Sequence, residues 1–166
     1  RLERTLQGGR QEAPPRTLAL LPAHDGIDLD AMVERLGTAL GRFGEAVVVD
    51  AEHFLEASIT ELHALEAEHA FVLYVGRHGH SAWNERCRRQ ADQLLLIANA
   101  TRAPSSLSID VPQCEGAQTV ALALLQPGRI IPGAARAWRQ RLQVEQHFHL
   151  RDLADIDRLA RQLARR

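Results

Sequence analysis

The sequence predicts an α/β domain of three layers: a doubly wound, mostly parallel sheet of five to six strands with helices on both faces. Two observations predict the class. Six short, near-continuous apolar runs recur along the chain, and helix-length amphipathic segments separate most of them. Strands buried on both faces read as unbroken apolar runs, and parallel strands need helical crossovers. A third observation bounds the size: 166 residues, 45% hydrophobic and 25% charged, suit one domain with a core.

Residues 1–16 carry Gly8-Gly9, Pro14-Pro15 and alternating charges without apolar period, and read as a linker or tag remnant. The single domain is expected over 17–166. The first run, 17–21 (TLALL), is stopped by Pro22. Asp28 can cap a helix over 29–43, whose Met32, Val33, Leu36, Leu40 and Phe43 fall at helical spacing, with Gly44 as its stop. The second run is 46–49 (AVVV), ending at Asp50. Residues 58–69 form a helix with Ile59, Leu62 and Leu65 on one side. The third run is 70–75 (AFVLYV). After a loop at 77–79, Ser81 caps a helix carrying Trp83, Cys87 and Ala91, and the fourth run follows at 93–98 (QLLLIA). Residues 99–117 read as irregular. The fifth run, 119–125 (TVALALL), is stopped by Pro127-Gly128. A short helix near 133–142 holds Trp138 and Leu142, the sixth run is 146–150, and a helix over 152–165 shows Leu153, Ile156, Leu159 and Leu163 at amphipathic spacing.

Several function classes are excluded. No run of about eighteen apolar residues exists, so no transmembrane helix is predicted. The polar N-terminus, RLERTLQGGR, shows no secretory signal. A net charge of -1 gives no global field for nucleic acid. Two cysteines, Cys87 and Cys114, make no disulfide framework and fit a reducing, cytoplasmic compartment. All twenty basic residues are Arg, which removes the phosphate-loop lysine and any Schiff-base lysine. The chain begins at Arg1 and its one Met is Met32, so it reads as a piece of a longer protein.

Ligands of such folds sit at the carboxyl ends of the strands. The first of these loops, residues 22–28 (PAHDGID), holds one Gly and no Lys. Neither GxxxxGK[ST] nor GxGxxG can be written there, and its aspartates repel a triphosphate. Asp50 reads as a helix cap or a loop hydrogen-bond acceptor. Gly79-His80-Ser81-Ala82-Trp83 stands one residue from the G-x-S-x-G elbow. Trp replaces the second glycine, and the strand ends near Gly76, so Ser81 reads as a cap and not a nucleophile. His78-x-His80 and His147-x-His149 each can present two imidazoles, but no spacing selects further zinc ligands. Cys87 lies four residues after Trp83, on a shared buried face. Arg86, Arg88 and Arg89 with Glu85 and Asp92 read as a solvated helix face. The terminal Arg158, Arg161, Arg165 and Arg166 follow Asp152, Asp155 and Asp157, as the helix dipole prefers. Backbone amides with Arg77 or Arg102 at the strand ends give an alternative reading, a residual nucleotide or small-anion module. No catalytic, cofactor or metal-binding residue is assigned, and no cofactor is expected.

The segment Trp83-Asn84-Glu85-Arg86-Cys87-Arg88-Arg89-Gln90-Ala91-Asp92, leading into an apolar strand, resembles W-x-x-R-C-x-R-Q-A-D in bacterial and eukaryotic neuropathy-target-esterase-like proteins. The order of TLALLP, AVVVDA, the Gln126-Pro127 loop, Arg136-Ala137-Trp138 and His147-Phe148-His149-Leu150-Arg151 is similar too. The resemblance covers residues 17–166. It implies a degenerate P-loop-like domain of ParA/MinD-like strand order, lying between cyclic-nucleotide-binding-like domains and a patatin-like phospholipase domain. The Ser-Asp dyad and glycine-rich loop of that family fall outside this chain. The implied role is non-catalytic: regulation or scaffolding of a lysophospholipase of lipid metabolism. Its partners would be the neighbouring domains and, for the parent, a membrane surface. Trp83, Arg86, Cys87, Arg89, Gln90, Ala91 and Asp92 are the implied structural or interface residues. Trp83 is expected to pack, while Arg86, Arg89 and Asp92 bridge the helix to the next strand.

Overall fold

The computed structural model describes residues 17–102, 118–126, 132–144 and 146–164. The expected linker at 1–16, the irregular stretch at 103–117 with Cys114, the Pro127-Gly128 stop and the last two arginines lie outside the described residues.

Six strands form one sheet: β1 (Thr17–Pro22), β2 (Ala46–Val49), β3 (Phe71–Val75), β4 (Gln93–Asn99), β5 (Thr119–Leu125) and β6 (Gln146–Leu150). Every pairing is parallel, in the order β2-β3-β1-β4-β5-β6. β1, β3 and nearly all of β4 are buried, as parallel strands covered on both faces must be.

Alternation along the strands splits the core in two. Leu18 and Leu20 of β1 point to one face with Leu73, Leu95 and Ile97; Ala19 and Leu21 point to the other with Tyr74, Leu94 and Leu96. The first face is covered by α1 (Leu29–Leu40) and α6 (Leu153–Ala164), the first and last of the principal helices. Arg35 of α1 makes a two-pronged pair with Asp157 of α6, Nε to Oδ1 at 3.1 Å and Nη2 to Oδ2 at 2.8 Å. The second face is covered by α3 (Ile59–Glu68), α4 (Ser81–Gln90) and α5 (Ala134–Leu142), through Leu62, Trp83, Cys87, Trp138 and Leu142.

Helix ends depart from expectation in physical ways. α1 stops at Leu40, because the chain tightens there into bonds from Arg42 N to the Ala39 carbonyl and from Phe43 N to the Leu40 carbonyl. Gly44 is therefore not the stop. It lets the chain pass Ala70, whose Cβ would lie 2.5 Å from a Cβ at residue 44. Asp50, expected as a cap, opens a one-turn helix, α2 (Ala51–Phe54), directly after β2, though no apolar period predicts that helix. On α3, Leu62 is buried but Ile59 is 58% exposed. Ser81 is the first residue of α4, not its cap; His80 holds the cap position and makes no side-chain cap bond.

Candidate functional site

Neighbouring strands β1 and β3 diverge at their carboxyl ends. β1 leads to α1 on one face, and β3 leads to α4 on the other. That divergence is the topological switch point, where open α/β sheets hold ligands. A cavity of about 330 Å³ lies there, with Asp28, Asp30, Asp50 and Glu52 facing Arg77 and His78. Four carboxylates against one guanidinium make it unsuited to a polyphosphate.

The helix starts around this cavity already hold the chain's own anions. Asp28 Oδ1 accepts from Ala31 N at the start of α1, at 3.4 Å. Asp50 Oδ1 accepts from His53 N at 2.9 Å and lies 2.8 Å from His53 Nδ1. That hydrogen bond, reinforced by the carboxylate charge, raises the His53 pKa above its ordinary value. A phosphate would have to displace a carboxylate from the positive end of α1.

The loop after β1 is closed by a residue that sequence reasoning passed over. His24 is 1% exposed. Its Nε2 accepts from Asn99 N at 3.0 Å, so Nδ1 carries the proton and donates to the Asp25 carbonyl at 2.7 Å. The ring packs against Trp138, centroids 5.8 Å apart, and Trp138 Nε1 donates to the Arg102 carbonyl at 2.8 Å. Arg102 reaches back to Asp25 at 3.3 Å, and Gly26 turns the chain at φ +80°. The first loop is thus tied across β1 to the end of β4.

The motif residues lie along α4 and run the length of the sheet. Trp83 is 2% exposed and donates from Nε1 to the Val75 carbonyl at 2.8 Å. Asn84, a variable position of the motif, accepts from Arg77 N at 2.7 Å and donates to the Arg77 carbonyl at 2.9 Å, clamping the loop after β3. A Cβ on Gly76 would meet Asn84 Oδ1 and Leu21 Cδ2, each at 2.7 Å. Arg86 donates to the carbonyls of Leu55 and Ala57, between α2 and α3, and not to the next strand. Cys87 is buried, and desolvation pushes its thiol up to about 12. Arg89 is exposed beside Glu85 and Gln90 is half-buried. The carbonyl of buried Ala91 accepts from Gln118 Nε2 at 2.8 Å. The Asp92 side chain is exposed; its backbone makes the bridge, N–H to Thr17 Oγ1 at 2.8 Å and carbonyl from Thr119 N at 3.2 Å.

His78 and His80 are exposed, whereas His147 and His149 stand together on one side of β6 with ring centroids 5.0 Å apart. Ser81 is exposed, six residues beyond the end of β3. Among the described residues no group of three or more His, Cys, Asp or Glu is arranged to hold a metal ion.

The family described as "Neuropathy Target Esterase family P-loop like domain" matches residues 15–164. The chain belongs to this family. The lysophospholipase NTE1 of Kluyveromyces lactis is 25% identical over 154 residues, covering 81% of this chain. The chain spans 11% of the length of that relative. A ParA family ATPase from Chlorobium tepidum shares the fold of this neuropathy target esterase P-loop-like domain, with a TM-score of 0.59 at 8% identity, over 92% of this chain and 93% of that one.

Proposed function

We propose that the domain is a non-catalytic regulatory or scaffolding unit of a longer patatin-like lysophospholipase, coupling cyclic-nucleotide-binding-like sensor domains to the serine esterase domain. The observation that carries this reading is the acidic, self-capped switch point. Asp28 caps α1 where a phosphate would sit, and His24 ties the adjoining loop to β4. A fold of nucleotide-binding lineage is thereby kept as a rigid body. The family membership supports the parent, and its similarity to a lysophospholipase supports the substrate class. In this reading the domain works in the cytoplasm, with its parent peripheral at the membrane. No helix among the described residues is long and apolar enough to cross one.

The test is lysophospholipase activity of the full-length parent carrying Arg86→Gln, compared with its isolated esterase domain. The expected result is altered activity, or an altered response to cyclic nucleotide, in the full-length variant alone. Unchanged kinetics in a parent whose domain has been replaced by a flexible linker would refute coupling. Hydrolysis of a para-nitrophenyl ester by this chain, abolished by Ser81→Ala, would refute the non-catalytic reading.

A further inference from the structure

A second cavity lies at the opposite side of the sheet's carboxyl edge, where β5, β6 and α5 meet. It measures about 620 Å³, and its charged lining is entirely basic among the described residues. Arg136 and Arg139 stand one turn apart on α5, Gln126 follows β5, His147 and His149 project from one side of β6, and Arg151 follows it. Residues three apart on a helix share a face, so both α5 guanidinium groups reach the same space.

Their pairing differs. Arg151 already donates to Asp155 at 3.0 Å. Among the described residues, Arg136 and Arg139 have no carboxylate partner, and Arg139 Nε is buried without an acceptor. A buried guanidinium N–H left unbonded costs free energy that an incoming acceptor would recover. Gln126 Nε2 lies 2.5 Å from His149 Nδ1 and donates to it, which leaves His149 Nε2 protonated and able to donate. The start of α5 also differs from that of α1. Gly133, at φ +77°, holds the cap position, and no side chain caps the helix among the described residues. Burial first, then the charges of Arg139 and His149, lower the His147 pKa below its ordinary value.

We propose that this cavity binds a phosphate group, carried on a soluble phosphomonoester or a lipid headgroup, through Arg136 and Arg139 with His149 as a further donor. Phosphate matches the donor set better than a carboxylate, since its oxygens can take two guanidinium forks and an imidazole N–H at once. The site is distinct from the acidic cavity at the switch point and does not depend on the proposed coupling role.

The experiment uses this chain, with inorganic phosphate and glycerol 3-phosphate titrated by calorimetry at low ionic strength. A second arm measures co-sedimentation with phosphatidylcholine vesicles containing phosphatidic acid, against phosphatidylcholine alone. The expected result is saturable binding in at least one arm, weakened by about tenfold or more in Arg136→Gln/Arg139→Gln and unchanged in Arg77→Gln. Binding confined to the soluble probes identifies a phosphomonoester site; binding confined to phosphatidic acid vesicles identifies a headgroup site. Circular dichroism and melting establish that each variant is folded, and Arg136→Gln alone, at an exposed side chain, serves if the double variant is not. No saturable binding in either arm, or equal binding by the folded Arg136 variant and the unsubstituted chain, would overturn the proposal.

Discussion

His24→Ala tests whether the first loop is held by an imidazole in place of a ligand. The substitution removes a ring that is 1% exposed, together with its contact to Trp138. It also leaves the Asn99 N–H without the acceptor it has at 3.0 Å. An orphaned, partly buried donor costs about 1–3 kcal/mol, and the lost bond to the Asp25 carbonyl about 0.5–1.5 kcal/mol. With the cavity left beside Trp138, the expected loss is about 3 kcal/mol. For a domain of this size that lowers the melting temperature by roughly 6–12 °C. Urea unfolding followed by far-ultraviolet circular dichroism measures the total. Amide hydrogen exchange at Asn99 measures the local effect, with protection lost in the variant. The control is Asp25→Asn, which touches only an exposed ion pair and should cost less than about 1 kcal/mol. A His24→Ala protein within about 1 kcal/mol of the parent chain, with Asn99 still protected, would refute the reasoning.

Other outcomes follow from the same geometry. In a Cys114→Ser background, Cys87 should react with a thiol reagent only as fast as the domain unfolds, because burial holds its thiol near 12; rapid labelling of the folded protein would contradict this. Asp155 is held at about 2, chiefly by its bonds from the Arg151 side chain and backbone, with Arg158 alongside. Its contribution is therefore present above the ordinary aspartate value, about 3.9, and is lost as pH falls towards 2. Urea midpoints across that range should fall less steeply in Asp155→Asn. Gly76→Ala should destabilise by about 1–3 kcal/mol, since the added methyl group meets Asn84 and Leu21; an unchanged melting temperature would show that the α4 clamp is loose.

The central strands were the most legible because β1, β3 and nearly all of β4 are buried on both faces, which writes burial directly into unbroken runs such as TLALL and QLLLIA. Helix ends were less legible because distant residues decide them. Gly44 looks like a stop, yet its reason is Ala70, across the chain. The one-turn helix at Ala51–Phe54 is too short to show a period, although Asp50 three residues before His53 is a capping signal. Ser81 has the right chemistry for a cap but sits one position inside the helix. His24 was invisible for a different reason. A lone histidine in a polar loop acquires meaning only from Asn99 and Trp138, which the parallel pairing of β1 with β4 and the packing of α5 bring to it. The basic cavity was half legible: the spacing of His147 and His149 is plain, but their meeting with Arg136 and Arg139 depends on β6 pairing beside β5.

The Arg35–Asp157 pair spans 122 residues of sequence and sits in a layer made of the first and last long helices. During synthesis, the apolar flank of α1 and the matching faces of β4 and β5 must stay bare until Ile156 and Leu159 have emerged. The closure of α1 against α6 is thus a late event in the synthesis of this domain, which carries a sticky, half-built face until then. Truncation short of α6 should therefore yield aggregates, read by sedimentation of the expressed chain.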